Sequence, residues 1–292
     1  MIAICVIYGT NDKDVLLLII GEIMKHVVCY SGGHSSALVA IEVVRKYGKE
    51  NVILLNHDIS SWVEDADVKR FKKEVSEYLN IPITFCNIDG VSAEDLPDQF
   101  DVVMKAKAFK VGEGSELCTN RLKTAPFHKW LAELGEDVTI YYGFDANEKV
   151  RIQRRVGILS QMGYKSDYPL AFWERTIFST KEIGVEPPLT YGVFKHANCV
   201  GCLKAGKQHW YIVYCTRPDI YKKALLAEDF IGYTIIKDIS LEELIPVFED
   251  MKLKGIEPTE RIPHQTFWAN VGKVRIPMIE EDADKKPCEC VF

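Results

Sequence analysis

The chain has 292 residues, of which 47% are hydrophobic and 27% charged, a composition typical of a globular protein with a sizeable core. Its formal net charge of −6 argues against a generally basic surface that scans nucleic acid. The apolar run at residues 15–20 is too short to span a bilayer, and its acidic flanks do not suit a signal peptide. We therefore expect a cytoplasmic protein that does not enter the membrane.

The segment before Met24 precedes every motif in the sequence. Residues 1–23 are interpreted as an N-terminal appendage or start-site artefact, with an extra edge strand as the alternative. From residue 26 to about residue 160, short apolar runs alternate with segments whose apolar residues recur at helical spacing. We expect strands at residues 26–30, 51–55, 83–86 and 138–142, and helices at residues 35–47, 63–79 and 119–134.

This alternation predicts a doubly wound α/β fold with a mostly parallel sheet, because strands separated by helices require crossover connections. Beyond about residue 165, prolines break the chain into short pieces, with helices expected at residues 208–213 and 241–253. We thus divide the chain into the appendage, an α/β domain at residues 24–165, and a helical or irregular, cysteine-containing region at residues 166–292. The charged end of that region is expected to be mobile.

A glycine-rich turn joins the first predicted strand of the sheet to the following helix. Two glycines let the backbone approach an anion closely, and the N-terminus of a helix presents free N–H groups and the positive end of its dipole. Serine hydroxyls either add donors to phosphate oxygens or cap the helix. Alone, the turn indicates an anion site or a capped turn. Its residues are Ser31, Gly32, Gly33, His34, Ser35 and Ser36.

The turn resembles the motif of the PP-loop family, the adenine nucleotide α-hydrolases, which is usually Ser-Gly-Gly-x-Asp-Ser. Ser35 stands where the family has aspartate, and His34 occupies the variable position. The resemblance implies an adenine nucleotide alpha-hydrolase-like fold that binds ATP or a related adenylyl sulfate and acts at its α-phosphate. Four positions match the motif: Ser31, Gly32, Gly33 and Ser36.

Two downstream segments are similar to phosphoadenylyl sulfate (PAPS) reductases. Asp58 ends the second predicted strand in a variant of their Asp-Thr-Gly segment, which implies a contact with ribose or substrate; a turn cap is the alternative. Cys118, Arg121 and Lys123 match their Cys-x-x-Arg-x-Lys stretch. Arg121 and Lys123 suit a sulfate or phosphate group, and we assign them to catalysis, with a solvated helix face as the alternative.

A third segment follows the fourth predicted strand and resembles the Gly-x-x-x-Asp-Glu-Ser…Arg-Arg segment of PAPS-reductase-like proteins. Gly143 and Asp145 open it, and Arg151 and Arg155 follow. The acidic residues are expected to hold Mg²⁺, and the arginines to grip pyrophosphate. A charged helix with ion pairs four residues apart would have a similar sequence.

The nine cysteines are not spaced like the disulfide framework of a secreted domain, which leaves metal binding, sulfur chemistry or burial. Cys5, Cys29 and Cys86 lie in apolar runs and are expected to be buried. Cys199 and Cys202 form a Cys-x-x-Cys pair, whose spacing lets two thiolates face one metal.

The Cys-x-x-Cys segment is similar to the cysteine segment of bacterial and phage-encoded PAPS-reductase-like proteins. This resemblance implies an iron–sulfur cluster, with zinc and free or redox thiols as alternatives. We expect Cys118 as third ligand and take Cys215 as fourth. The other candidates for the fourth position are Cys288, Cys290, His196 and an exogenous sulfur. Cys290 follows Glu289 as in the Glu-Cys-Gly-Leu-His tail of sulfonucleotide reductases, which implies a nucleophile; a ligand or resolving thiol is the alternative.

Together these segments predict an enzyme resembling the PAPS reductase branch of the PP-loop superfamily. One version cleaves ATP to AMP and pyrophosphate and delivers sulfur to an acceptor, and the other reduces bound PAPS or adenylyl sulfate (APS). The basic stretches at residues 105–110 and 149–155 suggest tRNA or DNA as the acceptor. The alternative is a non-hydrolysing nucleotide sensor or accessory module with a structural zinc site. The oligomeric state stays open, with a homodimer among the possibilities.

Overall fold

The computed structural model describes residues 4–5, 18–19, 24–88, 91–111, 115–135, 137–197, 199–274 and 276. Its strands are β1 (Ile4–Cys5), β2 (Leu18–Ile19), β3 (Lys25–Cys29), β4 (Val52–Asn56), β5 (Ile83–Phe85), β6 (Lys110–Val111), β7 (Ser115–Glu116), β8 (Val138–Tyr141) and β9 (Lys165–Asp167). Five of them form one parallel sheet in the order β5-β4-β3-β8-β9. The predicted doubly wound α/β fold is confirmed.

The strands outside the central sheet form two short antiparallel pairs, β1 with β2 and β6 with β7. Within the described residues of the N-terminal segment, β1 and β2 pair with each other and add no strand to the central sheet. The edge strand β9 was not predicted, because its sequence Lys-Ser-Asp has no apolar run. Its neighbour β8 supplies the hydrogen bonds that order it.

Helices connect the strands and form the C-terminal region. They are α1 (His34–Tyr47), α2 (Ala66–Leu79), α3 (Gln99–Ala106), α4 (Leu117–Thr119), α5 (Ala125–Leu134), α6 (Lys149–Gln161), α7 (Pro169–Phe172), α8 (Lys207–Thr216), α9 (Pro218–Ile231), α10 (Leu241–Leu253) and α11 (His264–Lys273). A π-helical turn, Asn120–Thr124, joins α4 to α5. Short 3-10 helices lie at Lys49–Asn51, Thr180–Ile183 and Leu189–Gly192. None of the described helices is long and apolar enough to cross a membrane.

Alternating residues of the strands build the cores on the two faces of the sheet, as the pleat requires. Val28 and Leu54 pack with α1 and α2 on one face, and Val27 and Leu55 pack with α5 and α6 on the other. A third core lies between the helices α8, α9, α10 and α11, around the fully buried Trp210. Helix α3 contributes to this third core, although it precedes residue 165 in sequence.

The strand order positions the candidate site. The chain begins the sheet at β3, adds β4 and β5 on one side, and then returns to place β8 on the other side. The crossover connections therefore diverge from the carboxyl ends of β3 and β8. In open α/β sheets such a switch point leaves a crevice in which ligands bind.

Candidate functional site

The turn after β3 lies at the switch point. Gly33 is the N-cap of α1, whose first intrahelical hydrogen bond runs from the Ala37 N–H to the Gly33 carbonyl at 3.1 Å. Ser36 Oγ donates to the same carbonyl at 2.8 Å, and Ser31 Oγ donates to Ser36 Oγ at 3.3 Å. Within the described part of the chain, the backbone N–H groups of Ser35 and Ser36 have no acceptor. The turn thus offers donors at a helix N-terminus, as an anion requires.

Gly32 brings the turn against α2. Its φ is +85°, a left-handed conformation that favours glycine, and a Cβ at this position would lie 2.5 Å from Lys72 Cγ. The stem of Lys72 therefore fills the space that a side chain would need. Sequence analysis missed Lys72, although its position on the apolar face of α2, four residues after Val68, is unusual for a lysine.

The charges of Lys72 and its neighbour Lys69 are matched by two carboxylates beside the turn. Lys72 Nζ binds both oxygens of the buried Glu64, at 2.9 and 3.0 Å. Lys69 Nζ lies 2.8 Å from Asp58 Oδ1 and donates to the Ile59 carbonyl. Asp58, the predicted ribose or substrate contact after β4, is thus held by an ion pair.

Gly143 follows β8 and faces the first turn of α1. A Cβ on Gly143 would lie 3.1 Å from both Ser35 C and Ser36 N. Because these atoms belong to the backbone, a side chain could not be accommodated by rotation. Two glycine-containing segments therefore meet at the N-terminus of α1. From the sequence, this meeting was implied only by the family resemblance.

The predicted arginines stand on α6, next to the Gly143 segment. Arg151 Nη1 pairs with Glu148, and its guanidinium lies over the Phe144 ring at 4.5 Å. Its Nε and Nη2 are buried and have no hydrogen-bond partner among the described residues. Arg155 lies over the Tyr142 ring at 5.2 Å. Asp145 Oδ1 accepts from the Ala146 N–H at 2.6 Å, so this carboxylate is exposed but locally engaged.

A segment that sequence analysis did not assign contacts the turn from the other side. Tyr191 Oη accepts a hydrogen bond from the His34 N–H at 2.9 Å, and the Thr180 N–H donates to His34 Nε2 at 3.2 Å. Burial, followed by the charge of Arg175, lowers the pKa of His34. His34 therefore anchors a neighbouring segment rather than facing solvent alone, a role without a local sequence signal because the partners are more than 140 residues away.

Three predicted cysteines lie near one another. Burial raises the pKa of Cys118 to about 11 and that of Cys202 to about 12, and it raises the pKa of Cys199 as well. Cys199 further raises the pKa of Cys118, and both raise that of Cys202, whereas Lys123 lowers the pKa of all three thiols. The thiols are therefore close enough to interact, and they share one neighbouring cation.

A small cavity lies between Cys199 and the end of β4. It has a volume of about 20 Å³, enough for one water molecule, and its lining includes Asp58, Gln99, Lys123 and Cys199. Lys123 also acts on His57, whose pKa burial lowers to about 3. Lys123 thus lies near both the end of β4 and the cysteines.

Other predicted residues lie apart from this arrangement. Cys215 is on α8, where it interacts with Tyr211 and Lys252 rather than with the other cysteines. Arg121 is exposed in the π-helical turn. Cys288 and Cys290 lie outside the described residues, as do the side chain of Cys5 and the tail as a whole. Cys29 and Cys86 are buried, as expected.

The thiols suit a soft metal ion chemically, because thiolates are the ligands that zinc and iron–sulfur clusters prefer. Across the described residues, however, no three His, Cys, Asp or Glu side chains converge as a metal-binding group. The Cys199–Cys202 pair fits two ligand positions, and the described residues do not complete the set. The same finding applies to an all-carboxylate Mg²⁺ site.

Comparison with known proteins identifies no relative: no family model, no curated protein and no solved structure matches the chain.

Proposed function

We propose that the chain binds ATP, or an adenylyl sulfonucleotide such as PAPS or APS, through its phosphates at the switch point and acts at the α-phosphate or its sulfur substituent. The observation that carries the proposal is the approach of Gly143 to the N-terminus of α1, where the Ser35 and Ser36 N–H groups have no acceptor within the described residues. A phosphate group matches this combination of close backbone approach and convergent donors.

The charge beside the Gly143 segment favours the same ligand. Two guanidinium nitrogens of Arg151 are buried without a hydrogen-bond partner in the described part of the chain, which is costly unless an anion binds them. An arginine fork suits phosphate oxygens, and it would stabilise charge as pyrophosphate separates. Phosphoryl and adenylyl transfer depend chiefly on such positioning and electrostatic stabilisation.

The cysteines suggest why a nucleotide would bind here. Asp58 and Cys199 line one cavity, so an activated substrate at the end of β4 would lie close to a thiol. We propose sulfur transfer or thiolation, with tRNA or DNA as the candidate acceptor. An iron–sulfur cluster, or zinc, would be held by Cys199 and Cys202 with ligands from elsewhere and would supply sulfur or structure. Mg²⁺ would accompany the nucleotide.

Nucleotide binding is tested with the ATP analogue that carries a methylene group between the α- and β-phosphates. We expect calorimetric binding to the wild type and at least tenfold weaker binding to Gly143→Ala, because the new Cβ would displace the Ser36 N–H. Gly157→Ala in α6 is the matched control, since a Cβ there meets nothing within 4 Å. Equal affinity in both variants, or no binding to the wild type, contradicts the proposal.

Turnover is tested by incubation with ATP alone and with PAPS or APS under reducing conditions. Pyrophosphate and AMP formed from ATP support adenylation, and sulfite formed from the sulfonucleotide supports reduction. Tight binding without either product favours the second candidate, a nucleotide sensor or accessory module. The exposed Ser35 in place of the family's aspartate is the observation that favours this alternative.

A further inference from the structure

The two residues between Cys199 and Cys202 have all their backbone polar groups bonded to other segments. The Val200 N–H donates to the Val63 carbonyl at 2.8 Å. Gln99 Nε2 donates to the carbonyls of Val200 and Gly201, at 2.9 and 3.1 Å. The Gly201 N–H donates to His209 Nε2 at 3.2 Å. The protein itself thus fixes the conformation of this turn.

His209 is in turn fixed by Glu260. His209 Nδ1 lies 2.9 Å from Glu260 Oε1, while Glu260 Oε2 accepts from the Lys195 N–H at 3.0 Å. Because Nε2 accepts from Gly201, the ring proton must be on Nδ1, where it donates to the carboxylate. Burial opposes ionisation of Glu260, but the hydrogen bonds that the carboxylate accepts from His209 and from the Lys195 N–H favour the charged form, and the pKa of Glu260 is lowered. The pair sets both the tautomer and the orientation of the ring.

The space around the turn is equally restricted. Gly201 has a φ of +74°, and a Cβ there would lie 2.6 Å from Ile220 Cγ2. Lys204, two residues beyond the second cysteine, pairs with Glu116 at 3.1 Å and so ties the turn to the segment that carries Cys118. A turn held only to fill space would not need this number of polar contacts from α3, α8 and the loop before α11.

We infer that Gln99 and the His209–Glu260 pair are positioning residues, which hold the thiols of Cys199 and Cys202 ready for a soft, thiophilic metal ion. Preorganisation lowers the cost of metal binding because the turn does not have to order itself around the ion. This inference rests on the cysteine part of the proposed function and is independent of nucleotide binding. His209 acts through the Gly201 backbone and is not itself a ligand.

Cobalt(II) tests the inference, because thiolate coordination gives a charge-transfer absorbance that reports the ligands directly. The full chain is reduced under anaerobic conditions and titrated with Co²⁺. His209→Leu removes the acceptor for the Gly201 N–H, whereas His209→Gln retains an acceptor at nearly the same reach. We expect a thiolate band in the wild type, at least tenfold weaker Co²⁺ binding in His209→Leu, and affinity within about threefold of wild type in His209→Gln.

Controls separate positioning from folding and from removal of a histidine. His264→Leu removes an exposed histidine at the start of α11 and should bind Co²⁺ like the wild type. Gln99→Met keeps the side-chain length but removes both donors, and it should also weaken Co²⁺ binding if His209→Leu does not fold. Thermal unfolding and binding of the ATP analogue are measured on the same samples.

Three outcomes overturn the inference: no thiolate band in the wild type, His209→Leu equal to wild type, or His209→Gln as weak as His209→Leu. If the wild type shows the thiolate band but does not bind the ATP analogue, only the nucleotide proposal is contradicted. The two proposals therefore fail separately.

Discussion

At the scale of single residues, glycines determine what can approach the switch point. Gly32 and Gly163 have the same φ of +85°, but only Gly32 is surrounded by side chains. A Cβ on Gly32 would lie within 2.7 Å of two carbons of Lys72, whereas one on Gly163 would meet nothing within 4 Å. Substitutions at these two glycines therefore distinguish the cost of backbone strain from the cost of a steric clash.

We predict that Gly163→Ala costs about 1–2 kcal/mol, the price of a left-handed conformation for an L-residue. Gly32→Ala should cost about 1–3 kcal/mol more, because the stem of Lys72 must also shift. Urea unfolding monitored by circular dichroism measures both free energies of unfolding. An equal loss of unfolding free energy in the two variants would show that the clash with Lys72 does not contribute to the destabilisation.

The sequence also shows which residue-level features can be anticipated. Ser31–Ser36 and Gly143 were identified as candidate site residues because the local sequence indicates them: glycines directly follow a predicted strand. Tyr191, Thr180 and His209 were not, because each acts through a hydrogen bond whose partner is set by tertiary packing. The approach of Cys118 to the Cys199–Cys202 turn was expected only from the resemblance.

At the scale of elements, the helices α1, α2 and α10 were predicted from the helical spacing of their apolar residues. Residues 241–253 form α10 as expected, since Ser240 and Glu243 make a capping box. Residues 63–79 were assigned to one helix, but α2 begins at Ala66 because Asp65 caps it. Helices α3, α9 and α11 were not predicted, although Asp98 and Asp101 give α3 a capping box like that of α10; packing in the third core stabilises all three helices.

Helix α2 also carries the buried cation that packs on the glycine turn. The side chain of Lys72 is 4% exposed and pairs with Glu64, which is 2% exposed, whereas Lys73 and Glu77 form a pair exposed to solvent. Removing one partner of a buried pair leaves an uncompensated charge, while surface pairs contribute little.

We therefore predict that Lys72→Met lowers the free energy of unfolding by about 3 kcal/mol, and that Lys73→Met changes it by less than about 0.5 kcal/mol. Lys69, 3.4 Å from Glu64, compensates part of the charge, which is why the expected loss is at the lower end for a buried pair. Chemical denaturation of the two variants provides the measurement. A similar small effect in both variants would mean that the Lys72–Glu64 pair contributes no more to stability than a surface pair does.

At the scale of the whole molecule, the sequence suggested a boundary near residue 165, but buried contacts cross it in both directions. Phe100 and Val103 of α3 pack in the C-terminal core with Trp210, while Leu170 and Ile177 pack on the sheet with α1. Linear sequence could not reveal this exchange, because each crossing element looks like an ordinary amphipathic segment of its own region.

These crossing contacts predict cooperative unfolding of the two regions. Circular dichroism, which follows the helices, and tryptophan fluorescence, which follows Trp210 and Trp268 in the C-terminal core together with Trp130 and Trp173 beside the sheet, should report coincident transitions in urea. A chain ending at residue 165 should not fold, since α3 would expose Phe100 and Val103. Saturating ATP analogue, at about 100 times its dissociation constant, should shift both transitions together by about 2.7 kcal/mol. Two separated transitions, of which only one responds to the nucleotide, would contradict this prediction. They would show that the C-terminal helices unfold independently and that the sheet alone forms the nucleotide site.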